Sequence, residues 1–231
     1  MATTPARFSA ADRRQQILAV ATALFARQGF QGTTTKLIAE RAGVTEALIF
    51  RHFRSKDDLY WAVIEDKIKN HSPQQRMHQR LSAKGSEVDV LAGLAQDILE
   101  RRAKDQTLSR LLLYSALERH RLSNRFFRSY VAGYYEVLAS YIERQVGRGK
   151  YRNVDPLLAA RGFLGMVIYH SWVQELFGGK RYQKLSVQQI SRSVAEIWLQ
   201  GMLRPGTSGN GSSRTKTGNH APLQESTRVA H

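Results

Sequence analysis

The chain has 231 residues, 42% of them hydrophobic and 23% charged, which is close to an average folded protein and excludes wholesale disorder or a fibrous repeat. Thirty-five Lys and Arg against nineteen Asp and Glu leave a formal net charge of +16, favouring a polyanionic partner, either nucleic acid or an anionic membrane surface. Cysteine is absent, which excludes disulfides, thiolate metal sites and cysteine nucleophiles; the longest nearly apolar run, residues 162–169, is far short of the ~20 residues that span a bilayer. The N-terminus lacks an apolar signal core, so the expectation is a soluble cytoplasmic protein with no membrane association.

Between Ser9 and Leu203 the pattern is helical throughout, with no period-two alternation long enough for a sheet, and the expected fold class is all-α. Residues 1–10 read as a flexible arm. Ser9-Ala-Ala-Asp12 has the form of a capping box, after which Ile17, Leu18, Ala21, Leu24 and Phe25 recur at helical spacing until Gly29 supplies a stop. A short helix from about Thr34 to Ala42 ends at Gly43, and another from Thr45, as N-cap, to about Phe53 begins two residues later. Ser55-Lys-Asp-Asp58 is a second capping box, opening a helix with Leu59, Tyr60, Val63, Ile64 and Ile68 that is expected to bend or break at Pro73. Further helices are expected from about Glu87 to Arg102, Thr107 to Arg119 and Ser123 to Val146, the last stopped by Gly147 and Gly149. Asp155-Pro156 caps a helix over Leu157 to Phe177, and Ser186-Val-Gln-Gln189 opens the last one, striped by Val187, Ile190, Val194 and Ile197. From Arg204 onward Gly, Ser, Thr and Asn dominate, so residues 204–231 read as a disordered tail.

The informative segment runs from Thr33 to Phe53. A DNA-reading unit needs one helix across the backbone, a tight turn, and a second helix pressed on the first so that its far side enters the major groove. Gly43 suits the turn, and Ile38, Ala42, Val44, Ile49 and Phe53 supply a shared apolar side. On the second helix Glu46, Ala47, Phe50 and Arg51 fall at i, i+1, i+4 and i+5, hence on one face away from Ile49 and Phe53. Glu46 can accept from a cytosine amino group, Arg51 can donate to guanine or phosphate, and Ala47 and Phe50 can touch a thymine methyl or a sugar edge. Thr34, Thr35 and Lys36 at one helix start, with His52 and Lys56 beside another, are candidates for phosphate contacts.

These residues resemble bacterial transcriptional regulators of the tetracycline-repressor (TetR/AcrR) type. The likeness covers about Ala11 to Asp66 and rests on TTTKLIAERAGVTEALIFRHFRSKDDL: Thr-Thr, Ile-Ala, Ala-Gly-Val, a short helix ending in Phe, then Ser-Lys and a leucine. The resemblance implies a three-helix DNA-binding head (11–71, with the helix-turn-helix at about 34–53), a larger helical effector-binding domain (72–203), and a homodimer built by the last two helices. Carried over position by position, it places DNA contacts at Thr34, Thr35, Lys36, Thr45, Glu46, Ala47, Phe50, Arg51, His52 and Lys56. Phe50 departs from the family's usual Tyr and so lacks a hydroxyl for phosphate.

The second half is rich in aromatic residues. Tyr130, Tyr134, Phe163, Tyr169, His170 and Trp172 are candidates for lining an effector pocket, which in a helical domain is apolar with a few polar tips and would suit an apolar or aromatic small molecule. Leu157 to Phe177 is apolar on more than one face, and with the last helix it offers Val167, Trp172, Ile190, Val194, Ile197 and Trp198 as a four-helix dimer interface. No metalloprotease, di-iron, phosphate-loop or hydrolase motif occurs, so no enzyme activity, metal or cofactor is expected. The expected function is a ligand-released, homodimeric repressor of a pseudo-palindromic operator in the bacterial nucleoid. The alternatives are a sequence-tolerant basic DNA-binding protein without an effector, and a helical enzyme or carrier.

Overall fold

The computed structural model describes residues 9–69, 73–118 and 121–204, all-α apart from one isolated bridge between Tyr151 and Leu203. The expected arm and tail fall almost wholly outside the described residues.

Three helices make the head. Helix α1 (Ala10–Gln28) starts on the Ser9–Asp12 capping box and ends at Gly29, whose φ of 77° and ψ of −178° suit glycine alone. Helix α2 (Thr35–Ala42) is capped by Thr34, whose hydroxyl accepts from the Leu37 N–H, and α3 (Glu46–His52) by Thr45, whose hydroxyl accepts from the Leu48 N–H. Helix α4 (Lys56–Lys69) leaves the head; the Ser55 hydroxyl accepts from the Asp58 N–H, while the Asp58 carboxylate reaches back to the Arg54 N–H, one residue earlier than a reciprocal box requires. Ile17, Leu18, Ala21 and Phe25 of α1 meet Ile38, Ile49, Phe53, Leu59, Tyr60 and Ile64 in a shared core. Tyr60 stands edge-on to Phe25 at 4.9 Å and to Phe30 at 5.3 Å.

The body comprises α5 (Pro73–Leu81), α6 (Glu87–Lys104), α7 (Thr107–Leu117), α8 (Leu122–Phe126), α9 (Ala132–Gly147), α10 (Pro156–Glu175) and α11 (Val187–Met202). Its core gathers Leu91, Leu94 and Ala95 of α6 with Leu138 and Ile142 of α9, Phe163, Leu164 and Val167 of α10, and Ala195, Trp198 and Leu199 of α11. Trp198 closes this core edge-on to Phe163 (5.5 Å) and Tyr151 (5.8 Å), its indole N–H donating to the Ala159 carbonyl at 3.2 Å. Two features depart from the expected elements. Helix α5 is a separate helix beginning at Pro73, and the single helix expected over 123–146 is interrupted by a π-helical turn, Phe127–Val131, between α8 and α9. Such widened turns recur at functional sites, and this one lies on a cavity wall.

Helix α7 belongs to both parts. Leu111 is fully buried in the head core and accepts from the Tyr60 hydroxyl through its carbonyl at 3.0 Å. Arg110 donates to the Ala26 carbonyl (2.6 Å), Tyr114 to the Arg27 carbonyl (3.0 Å), and Glu118 accepts from the Phe30 and Gln31 N–H groups at 3.0 and 3.3 Å. The orphan carbonyls at the end of α1 are thus satisfied by α7.

Candidate functional site

The turn between α2 and α3 is built from backbone hydrogen bonds that only a left-handed residue permits. Gly43 (φ 61°, ψ 39°) donates to the Glu40 carbonyl at 3.3 Å, and Val44 donates to that of Ala39 at 3.0 Å, a Schellman closure. Gln16 of α1 donates to the Ala42 carbonyl at 2.9 Å and pins the turn to the head, a contact with no signature in the local sequence. The Thr35 hydroxyl donates to the Glu46 carboxylate at 2.6 Å, tying the starts of α2 and α3 together. Ile49 is buried, whereas Glu46, Ala47, Phe50 and Arg51 are exposed on one face, Phe50 by 47%.

Around this face Thr34, Lys36 and Thr45 are exposed, and Thr35 and His52 are half-buried. Among the described residues Lys36 and Arg51 form no ion pair, so their charge is available to a polyanion. Lys56 sits differently from its neighbours. Its ammonium lies over the Phe30 ring, 4.1 Å from the centroid, and burial lowers its pKa against the opposing field of Glu118. In this conformation Lys56 braces the joint between the head and α7.

The body holds a cavity of about 680 Å³, within the usual range for small-molecule sites. Helices α4 to α10 and the π-helical turn all contribute to its wall. Tyr130, Tyr134 and Trp172 lie on it; Phe163, Tyr169 and His170 do not. Phe163 is fully buried one layer behind, against Trp198. Tyr169 is 65% exposed on α10 outside the cavity, and His170 borders a smaller depression of about 260 Å³, where burial lowers its pKa. The polar wall residues that aromatic content did not reveal include Arg76, Arg101, Arg102, Asp105 and Ser109, together with Lys69 and Lys104. The adjacent Arg101-Arg102 within an otherwise amphipathic α6 is the one signal the sequence offered.

The proposed interface set divides as well. Val167, Ile190 and Trp198 are buried within the protomer, Val194 is half-buried, and Trp172 lines the cavity; Ile197 alone is strongly exposed, at 63%. Beside it α10 exposes Leu158, Gly162, Gly165 and Tyr169, spaced to form one face. Among the described residues no helix is long and apolar enough to cross a membrane, and no group of three or more His, Asp or Glu is placed to hold a metal.

Residues 17–63 match the family model described as bacterial regulatory proteins of the tetR family, and residues 89–200 that of the AefR-like transcriptional repressor C-terminal domain. The chain belongs to the TetR family. It is therefore a transcriptional regulator with a helix-turn-helix DNA-binding domain. The nucleoid occlusion factor SlmA of Photobacterium profundum is 31% identical over 159 residues, covering 68% of this chain and 80% of that one. Two solved TetR-like structures share the fold. A TetR-family regulator from Mesorhizobium loti has a TM-score of 0.66 at 22% identity, covering 86% of this chain and 100% of its own. FadR from Bacillus subtilis, solved with stearoyl-CoA, has a TM-score of 0.61 at 22% identity, covering 81% of this chain and 98% of its own.

Proposed function

We propose that this TetR-family regulator is a homodimeric repressor, not an enzyme, acting in the bacterial cytoplasm and released from a pseudo-palindromic operator by a small-molecule effector. Helix α7 carries the reading: Leu108, Ser109 and Leu112 line the cavity, while Arg110, Leu111, Tyr114 and Glu118 hold the head. A ligand that shifts α7 thereby shifts the head. Two recognition helices must sit about 34 to 36 Å apart, one turn of duplex, to enter successive major grooves. A ligand favouring another spacing by about 1 to 3 kcal/mol lowers operator affinity roughly 5- to 150-fold. The exposed α3 face with Thr34, Thr35, Lys36, Thr45 and His52 around it supports the assignment of the DNA surface, and the apolar face of α10 and α11 supports the dimer.

Selection of bound duplexes from a random pool by the full-length protein tests this reading. Enrichment of an inverted repeat is expected, and binding without an enriched motif overturns it. The likeness to SlmA favours a second reading, occupancy of many chromosomal sites rather than a few promoters. Chromatin immunoprecipitation separates them: a handful of promoter peaks supports the repressor, and dispersed peaks support the nucleoid-wide role.

A further inference from the structure

The cavity wall holds more positive charge and more hydrogen-bond donors than its own acceptors satisfy. Arg76 Nε and Trp172 Nε1 are buried without a partner. Arg102 donates through Nε to the Ser171 hydroxyl at 3.1 Å and pairs with no carboxylate among the described residues. Burial lowers its pKa, as it does for a cation whose counter-charge is missing. Arg101 is neutralised by Asp97. The carboxylate on the wall, Asp105, is committed to Lys67 at 2.8 Å and to the Thr107 N–H at 2.8 Å.

Tyr134 locates the unspent charge. Arg76, Arg101 and Arg102 line the cavity with it, and while burial raises its pKa their fields pull it down, so the three guanidinium groups act on the same stretch of wall. The same wall presents hydrocarbon, with Ile98, Leu108, Leu112, Val131 and Ile168, and further cations, Lys69 and Lys104. Unpaired buried donors are costly, and guanidinium groups match planar or tetrahedral oxyanions with paired hydrogen bonds.

We propose that this cavity takes an amphiphilic anion, its carboxylate or phosphate head on Arg76, Arg102 and the Trp172 N–H and its apolar body along Ile98, Leu112 and Ile168. The proposal rests on the reading of the cavity as the effector site and narrows the apolar effector expected from aromatic content to a charged class. A cationic ligand is disfavoured by the same residues, since Asp105, the carboxylate on the wall, is already committed to Lys67.

Four probes of one chain length separate the possibilities when titrated calorimetrically into the full-length protein: decanoate, decyl phosphate, decanol and decyltrimethylammonium. At least one anion is expected to bind roughly tenfold or more tightly than decanol, as a charge-assisted hydrogen bond predicts, and the cation to bind least. Whichever anion binds more tightly identifies the head group. Arg102→Gln, and independently Trp172→Phe, which keeps a six-membered aromatic ring but removes the N–H donor together with the pyrrole half of the indole, are expected to shrink the anion preference several-fold, with a much smaller change in decanol affinity. Equal affinity for decanol and both anions, preference for the cation, no binding by any probe, or an unchanged preference in both variants overturns the proposal. Operator anisotropy distinguishes the underlying reading. Anion binding that leaves operator affinity unaltered sinks the effector role and leaves the anion site standing.

Discussion

Arg51 and Asp105 show how differently two charged side chains act in this protein. Arg51 is exposed on the α3 face with no ion pair among the described residues, so its replacement removes little from the fold. Arg51→Ala is expected to weaken operator binding by about 1 to 3 kcal/mol, read by fluorescence anisotropy, with the dimer unchanged in sedimentation. Asp105 ends α6 beside the cavity. Burial would raise its pKa, but hydrogen bonds from Lys67 and from the Thr107 hydroxyl and N–H outweigh that and hold it at about 2, against 3.8 for the free side chain. A carboxyl depressed in the fold stabilises it above the unfolded value, and that contribution disappears as pH falls through the folded one. The side chain is 37% exposed, so solvent limits the contribution to about 1 kcal/mol. Urea titrations are expected to show Asp105→Asn less stable than the parent near neutrality, with the difference fading between about pH 4 and pH 2.

At the scale of elements, α7 breaks a rule of helix charge in order to make a joint. An acidic residue at a helix C-terminus meets the negative end of the dipole, yet Glu118 stands there because the Phe30 and Gln31 N–H groups need an acceptor. Gly29 fits beneath it without a side chain; a Cβ there would collide with the Glu118 carboxylate and approach the Tyr114 ring to 2.8 Å. Glu118→Ala is expected to speed amide hydrogen exchange at Phe30 and Gln31 and to cost about 1.5 to 3 kcal/mol, the range for hydrogen bonds to a charged group. If the exchange of those amides is unchanged, the joint is held by the Arg110, Tyr60 and Tyr114 contacts alone. Effector-induced loss of operator affinity is also expected to shrink in this variant, because α7 connects the cavity to the head.

Across the whole molecule the unresolved demand is the apolar surface of α10 and α11. Leu158 is 68%, Tyr169 65% and Ile197 63% exposed, and the exposed Gly162 and Gly165 leave room for a close neighbour. The partner proposed for this face is a second copy in two-fold symmetry, which pairs like with like. Ile197→Asp is expected to shift the protein to monomers in light scattering and, with one head per particle, to reduce affinity for a two-half-site operator more than for a single half-site. Retention of the dimer would move the interface elsewhere.

Local rules made much of the molecule legible. Ser9, Thr45, Asp155 and Ser186 each cap the helix they were expected to open, Thr34 caps one it was expected to begin, and Gly29 and Gly43 end theirs, because capping is settled by atoms three or four residues apart. The exposed face of α3 follows from helical periodicity once Ile49 is placed inside. What periodicity cannot set is which of two apolar faces of a helix meets the core, a cavity or a partner. On α10 it was the packing of Trp198 that drew Phe163 inward, Trp172 that met the cavity and Tyr169 that was left outside. The cavity's arginines escaped for the same reason. Arg76 and Arg102 stand 26 residues apart on successive helices, and a charged side chain in a sequence carries no mark of whether its counter-charge will be folded beside it. The sequence by itself determined most of the helices, the caps and stops named above and the reading head through short-range hydrogen bonding. Tertiary structure alone decided where the cavity lies, what chemistry faces it and how α7 links it to the head, since those depend on residues brought together from across the chain.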